Sequence, residues 1–175
     1  MKKITFILFT IMFVLSATGQ KQLRAYLSEH QFYSPEDGNY IEIQLNFVGH
    51  TISYKDVNGK QKGELEITQL FIQGDKIVLF DKYILSAPEI IDSIIEDFFD
   101  IHRYVLAPGD YTYELIIEDK NLGYSPISVE KPLTIRDLSK EVSFSSITAS
   151  ESINYADMNN PTTFTKMGYD IIPLI

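Results

Sequence analysis

Carboxylates are the side chains best supplied for chemistry in this sequence. Asp92, Glu96, Asp97 and Asp100 fall within nine positions, and Glu36-Asp37-Gly38-Asn39 and Glu118-Asp119-Lys120-Asn121 occupy expected turns. Oxygen-rich turns are the material of calcium sites, which take roughly six to eight oxygen ligands. No run has the spaced Asp-x-Asp-x-Asp-Gly order of a calcium loop, so the reading is a solvated acidic face, with calcium as the rival. His30, His50 and His102 offer no pair at i, i+2 or i, i+4, the spacings that bring two imidazoles to one metal. There is no Gly-x-Ser-x-Gly elbow, no Gly-rich phosphate loop, no His-Glu-x-x-His helix and no cysteine. No catalytic, cofactor-binding or metal residue is therefore assigned, no cofactor is expected, and the chain reads as non-enzymatic. Carboxylate catalysis assembled by the fold alone is the competing possibility.

Aromatic residues are the other means of recognition. Eleven Tyr and eleven Phe, with no Trp, include Tyr26, Phe32, Tyr33, Tyr40, Tyr54, Tyr83, Tyr104 and Tyr124. Tyrosine on a sandwich rim can stack on a sugar or anchor a protein. It is equally a strand residue, and packing is the reading favoured for each.

The elements that must position these groups are strands. In "YIEIQLNFV", Ile41, Ile43, Leu45 and Phe47 alternate with Glu42, Gln44 and Asn46, which predicts a half-buried strand with the polar set in water. Asn58-Gly59 predicts a type I′ hairpin, and Gly74-Asp75 repeats the turn signal before "KIVLFDKYIL", giving a meander of three or four strands. "LRAYLS" supplies an earlier strand. "YTYELIIED" sets Tyr111, Tyr113, Leu115 and Ile117 against Thr112, Glu114, Ile116 and Glu118, and "ISVEKPLTI" is a strand whose Pro132 suits an edge or bulge. The fold class is all-β: an antiparallel sandwich, immunoglobulin-like or fibronectin-III-like, of about seven or eight strands. "SAPEIIDSIIEDFFDI" has apolar pairs every four residues, so 88–97 is either a short helix or a loop, followed by a strand from about Phe98 to Leu106.

The ends differ in texture. Residues 1–19 open with Lys2 and Lys3, run apolar from Ile4 to Leu15 and close on Ser16, Ala17 and Gly19, the order of a secretory signal peptide. The apolar run is about 12 residues, short of the roughly 20 that span a bilayer, so the mature form is expected to lack a transmembrane segment. The sandwich is expected over 20–137. Residues 138–175 read as a linker and the start of a second β domain, with a strand at Val142–Thr148 and the chain cut from a longer parent. Formal charge is −9, and loss of Lys2 and Lys3 with the leader makes it −11, which disfavours nucleic acid and anionic lipid. With no cysteine, stability must come from burial.

Leu106, Pro108, Gly109 and Tyr111, in the order L-x-P-G-x-Y, resemble the corner before the sixth strand of immunoglobulin-like and fibronectin-III-like sandwiches. The resemblance implies that the Tyr111 hydroxyl pins the crossing loop, and that large side chains around Tyr113 fill the space of the antibody-type disulfide and tryptophan. A second resemblance rests on "FYSPEDGNYIE", "YKDVNGKQKGELEIT", "IQGDKI", "FDKYILSAPEI", "LAPGDYTYELIIEDKN" and "TKMGYDIIP". Together these are similar to exported Bacteroidetes proteins in which an Ig-like region precedes a domain named for a Gly-Trp-x-Thr-Asp motif. The motif itself is absent, since there is no Trp. What this implies is an exported, non-catalytic Ig-like module for protein binding, spacing or assembly in the bacterial envelope, located in the periplasm, at the outer membrane or secreted. Its partner would be another envelope protein or the rest of the parent chain. The alternative is a carbohydrate-binding or calcium-binding accessory domain of an envelope hydrolase.

Overall fold

The computed structural model describes residues 22–174 except 124, 141 and 143; the expected leader at 1–19 and Tyr124 lie outside the described residues. The strands in chain order are β1 (Ala25–Ser34), β2 (Gly38–Phe47), a 3-10 turn at Gly49–Thr51, β3 (Lys55–Val57), β4 (Lys60–Lys62), β5 (Glu64–Gln73), β6 (Lys76–Ser86), β7 (Phe98–Val105), β8 (Gly109–Asp119) and β9 (Ile127–Ile135). They build two antiparallel sheets, ordered β1-β2-β7 and β6-β5-β8-β9, with β3-β4 a separate ribbon. Alternation explains the core between them. Ile41, Ile43, Leu45 and Phe47 of β2 meet Leu65, Ile67 and Phe71 of β5 and Tyr111, Tyr113, Leu115 and Ile117 of β8. Fully burying one such side chain contributes roughly 1.5–3 kcal/mol.

The turns follow their residues. Asn58 and Gly59 take φ of 57° and 80°, the two positive values of a type I′ turn between β3 and β4. Gly74 (φ 60°) opens the two-residue turn from β5 to β6. The expected meander breaks here, because β5 gives its other edge to β8, Ile67 opposite Ile117, rather than to β4. Pro132 lies on β9, an edge strand.

The meander is the first of three corrections. At 88–97, where a short helix and a loop both stood, the loop reading holds, as a tight turn. Asp92 (φ 51°) and Ser93 (φ 64°) are left-handed, and Ile91 bridges Ile94. A right-handed helix requires negative φ throughout, and Ile91 and Ile94 are left 68 % and 61 % exposed. The segment's far end is pinned instead: Asp97 Oδ1 accepts from Gly49 N at 2.8 Å, directing the chain straight into β7.

The second correction concerns β2, whose polar face is not wet. Glu42 and Gln44 are each only 6 % exposed, because residues 150–173 cover them. There β10 (Ser150–Tyr155), β11 (Thr165–Lys166) and β12 (Tyr169–Pro173) form a small sheet ordered β10-β12-β11. It lies over the outer face of β1-β2-β7, with Phe99 edge-on to Phe164 at 5.1 Å. The third is the strand at Val142–Thr148. Val142 and Phe144 project into solvent, and the segment meets β1 through Ser146, which donates N–H to Gln31 O and receives Gln31 N–H on Oγ, both at 2.9 Å.

Candidate functional site

The corner at Tyr111 sets the start of β8. Tyr111 donates its hydroxyl to Ala107 O at 2.8 Å, spanning the turn through Pro108 and Gly109, while Leu106 is buried beneath. Gly109 has φ 151°, and a Cβ there would meet Gln73 Nε2 at 3.0 Å. Two residues beyond Tyr111, Tyr113 is fully buried against Phe71, with 5.0 Å between ring centroids. Its hydroxyl donates to Gln69 Oε1 at 2.9 Å.

From Tyr113 a chain of polar contacts runs outward to the side of the sandwich where β6 and β7 are both edge strands. Gln69 donates Nε2 to the Tyr83 hydroxyl at 3.1 Å, and Tyr83 donates to Asp100 Oδ2 at 2.5 Å. His102 lies flat on Tyr83 with Nε2 3.6 Å from Asp100 Oδ1 and Nδ1 3.1 Å from Asp81 Oδ2. Tyr104 also donates to Asp81 Oδ2, at 2.8 Å. Burial first, and then the carboxylate each faces, push the Tyr83 and Tyr104 phenols far up, so both remain donors.

Two carboxylates beside an imidazole are the ingredients of acid–base chemistry. Here each is engaged by a tyrosine, and the cluster ties β6 of one sheet to β7 of the other. The opposite side of the sandwich is closed more simply, by Lys131 of β9 on Glu29 of β1 at 2.9 Å.

The carboxylates singled out by spacing do not converge. Asp97 holds Gly49, Asp100 holds Tyr83, and Asp92 forms the left-handed turn. Asp119 is buried, accepting from Ser53 N at 2.8 Å and Asn121 N at 2.9 Å, while Glu118 pairs with Lys120. Asp37 accepts from Ser34 Oγ, and Asn39 Oδ1 takes Leu138 N–H. Among the described residues no group of three or more His, Cys, Asp or Glu is placed to hold a metal ion. The histidines are dispersed to β1, the 3-10 turn and β7. Of the aromatic candidates, Tyr26 and Tyr33 are exposed, Phe32 is buried against Tyr40, and Tyr54 packs on the core.

Sequence spacing does not expose the cluster, because its members lie on separate strands. Its signal is polar residues at inward strand positions: Asp81-x-Tyr83 on β6 and Asp100-x-His102-x-Tyr104 on β7.

A second feature lies on the outside of the four-stranded sheet. β6 is an 11-residue edge strand on which Ile77, Val78, Phe80 and Ile84 are 58 %, 48 %, 58 % and 52 % exposed. Leu70, directly opposite Phe80 on β5, continues the apolar face.

The class these features define is an all-β protein of antiparallel sheets, consistent with a sandwich. No family model matches the chain, and no curated protein and no solved structure was found similar to it. Among the described residues no helix is long and apolar enough to cross a membrane.

Proposed function

We propose that this chain is an exported, non-catalytic immunoglobulin-like or fibronectin-III-like module that binds or spaces proteins in the bacterial cell envelope. The observation that carries this reading is β6. Sheet edges are ordinarily blunted by charge, proline or a covering segment, because their unpaired amides and carbonyls recruit other strands. β6 presents an open edge together with half-exposed Val78, Phe80 and Ile84, the combination that strand addition uses. The partner is a segment of another envelope protein or of a longer parent chain. The strand order β1-β2-β7 against β6-β5-β8-β9 and the Tyr111 corner support the sandwich type. The leader-like residues 1–19 support export.

The absence of cysteine makes the test direct. Phe80→Cys introduces a unique thiol at the patch, and Ser128→Cys introduces one on β9 at the other edge of the same sheet. Thiol cross-linking in cells of the source bacterium is expected to give a discrete adduct in the envelope fraction from position 80 and none from position 128. Identical products from both positions, or no adduct from position 80, would remove the reading.

A further inference from the structure

Where the small C-terminal sheet lies over the outer face of β1-β2-β7, the two do not close completely. A cavity of about 470 Å³ remains between them, within the size of small-molecule sites. Its walls are largely apolar, with Phe32, Ile101 and Phe164 prominent. Its charged side consists of Glu42 from β2, Arg103 from β7 and Lys166 from β11.

The balance of these charges is the informative point. Glu42 Oε2 accepts from Arg103 Nε at 2.8 Å, and the same oxygen lies 3.7 Å from Lys166 Nζ. One carboxylate therefore serves two cations, and the nearer is the arginine. The Lys166 ammonium lies 3.0 Å from the centre of the Phe32 ring, a contact that stabilises a cation without neutralising it. Burial holds its pKa below the ordinary lysine value, with Glu42 opposing the shift and Arg103 adding to it. His30, opposite Glu42 on β1, is itself lowered by burial and adds no negative charge. This pocket thus carries net positive charge inside a chain of formal charge −9, so the local sign opposes the overall composition.

We propose that this cavity binds a small amphiphilic monoanion, an apolar body ending in a carboxylate, with the anion on Lys166 and Arg103 and the body against Phe32, Ile101 and Phe164. The apolar walls remove the body from water, while the anion completes the pairing that Glu42 alone leaves short. The β6 edge plays no part in this.

Decanoate is a suitable probe, titrated calorimetrically into the purified protein beside decylamine, which has the same chain and the opposite charge. Decanoate is expected to saturate at one site and to bind at least about tenfold more tightly than decylamine. Lys166→Gln, which keeps much of the stem and removes the charge, is expected to weaken decanoate by about tenfold, the scale of one charge-assisted contact. Lys55→Gln, on exposed β3, should leave affinity unchanged. Because the Lys166 change could loosen the C-terminal sheet, backbone amide NMR of the unmodified protein supplies an independent readout. Decanoate should shift the amides of Arg103, Thr165 and Lys166 and leave those of β6 in place. Absence of saturable binding, equal binding of decylamine, equal affinity in Lys166→Gln, or shifts centred elsewhere would each overturn the proposal.

Discussion

The imidazole of His102 lies parallel to the phenol of Tyr83, with 4.1 Å between ring centroids and 8° between planes. The stack spans the sandwich edge, since Tyr83 belongs to one sheet and His102 to the other. It also holds the Tyr83 hydroxyl between Gln69 Nε2 and Asp100 Oδ2. Tyr83→Phe retains the ring and deletes the hydroxyl, leaving a mostly buried carboxylate without that donor and Gln69 without its acceptor. Hydrogen bonds to charged groups contribute roughly 1.5–3 kcal/mol, so a loss of about 2–3 kcal/mol is expected by urea unfolding. A change under about 0.5 kcal/mol, the scatter of ordinary surface substitutions, would show that the network does not hold the sheets together.

The same network predicts an alkaline response. Tyr83, Tyr104 and Tyr113 all have phenols raised above the ordinary value, chiefly by burial. A raised folded pKa means that the folded state holds its proton more tightly than the unfolded chain. That stabilisation is complete below about pH 10, where an unfolded tyrosine titrates, and is lost progressively as pH rises beyond it. Phenolate absorbance should therefore rise in two stages. The later stage should belong to Tyr83, Tyr104 and Tyr113, which ionise only as the circular dichroism of the fold collapses. A single smooth titration complete before unfolding would contradict the burial of these hydroxyls.

Tyr111→Phe separates the corner from any surface role. Its bond to Ala107 O is a neutral one, so about 1 kcal/mol of stability should be lost, or about 2–4 °C in Tm for a chain of this size. Cross-linking through position 80 should be unaffected. If cross-linking falls while Tm is unchanged, the corner is part of a binding surface rather than a support for β8.

What the sequence disclosed followed from period-two alternation and turn chemistry, both local properties. Ile41 to Phe47 and Tyr111 to Ile117 lie inward because their own spacing requires it, and Asn58-Gly59 turns because those two residues accept positive φ. What it concealed was decided by neighbours far along the chain. Glu42 and Gln44 alternate as though solvated and are buried because a sheet more than a hundred residues away covers them. The apolar pairs of 88–97 have a helical period, but Asp92 and Ser93 take left-handed φ and the segment turns, with Asp97 fixed on Gly49 beyond it. Tyr83, Asp100 and His102 share no spacing in the sequence, and only the approach of the β6 and β7 edges at one side of the sandwich joins them with Asp81 in one cluster.

Gly49 offers the sharpest test of how that 88–97 turn is held. Its φ is not among the positive values, so alanine meets no backbone penalty there. A Cβ would nevertheless stand 2.0 Å from the carbonyl oxygen of Glu96, and backbone cannot move aside as a flexible side chain can. Gly49→Ala should cost about 2–3 kcal/mol by overpacking and loosen the Asp97 anchor, opening 88–97 to proteolysis. Gly38 provides the contrast: nothing lies within 4 Å of its Cβ position, but its φ is +89°. Gly38→Ala should lose about 1–2 kcal/mol through backbone strain alone and leave the 88–97 turn protected. Limited proteolysis of the two variants at matched stability, with the cleavage sites read by mass spectrometry, decides it. Cleavage of 88–97 in both, or in neither, would mean that the contact between Gly49 and Glu96 does not hold the turn.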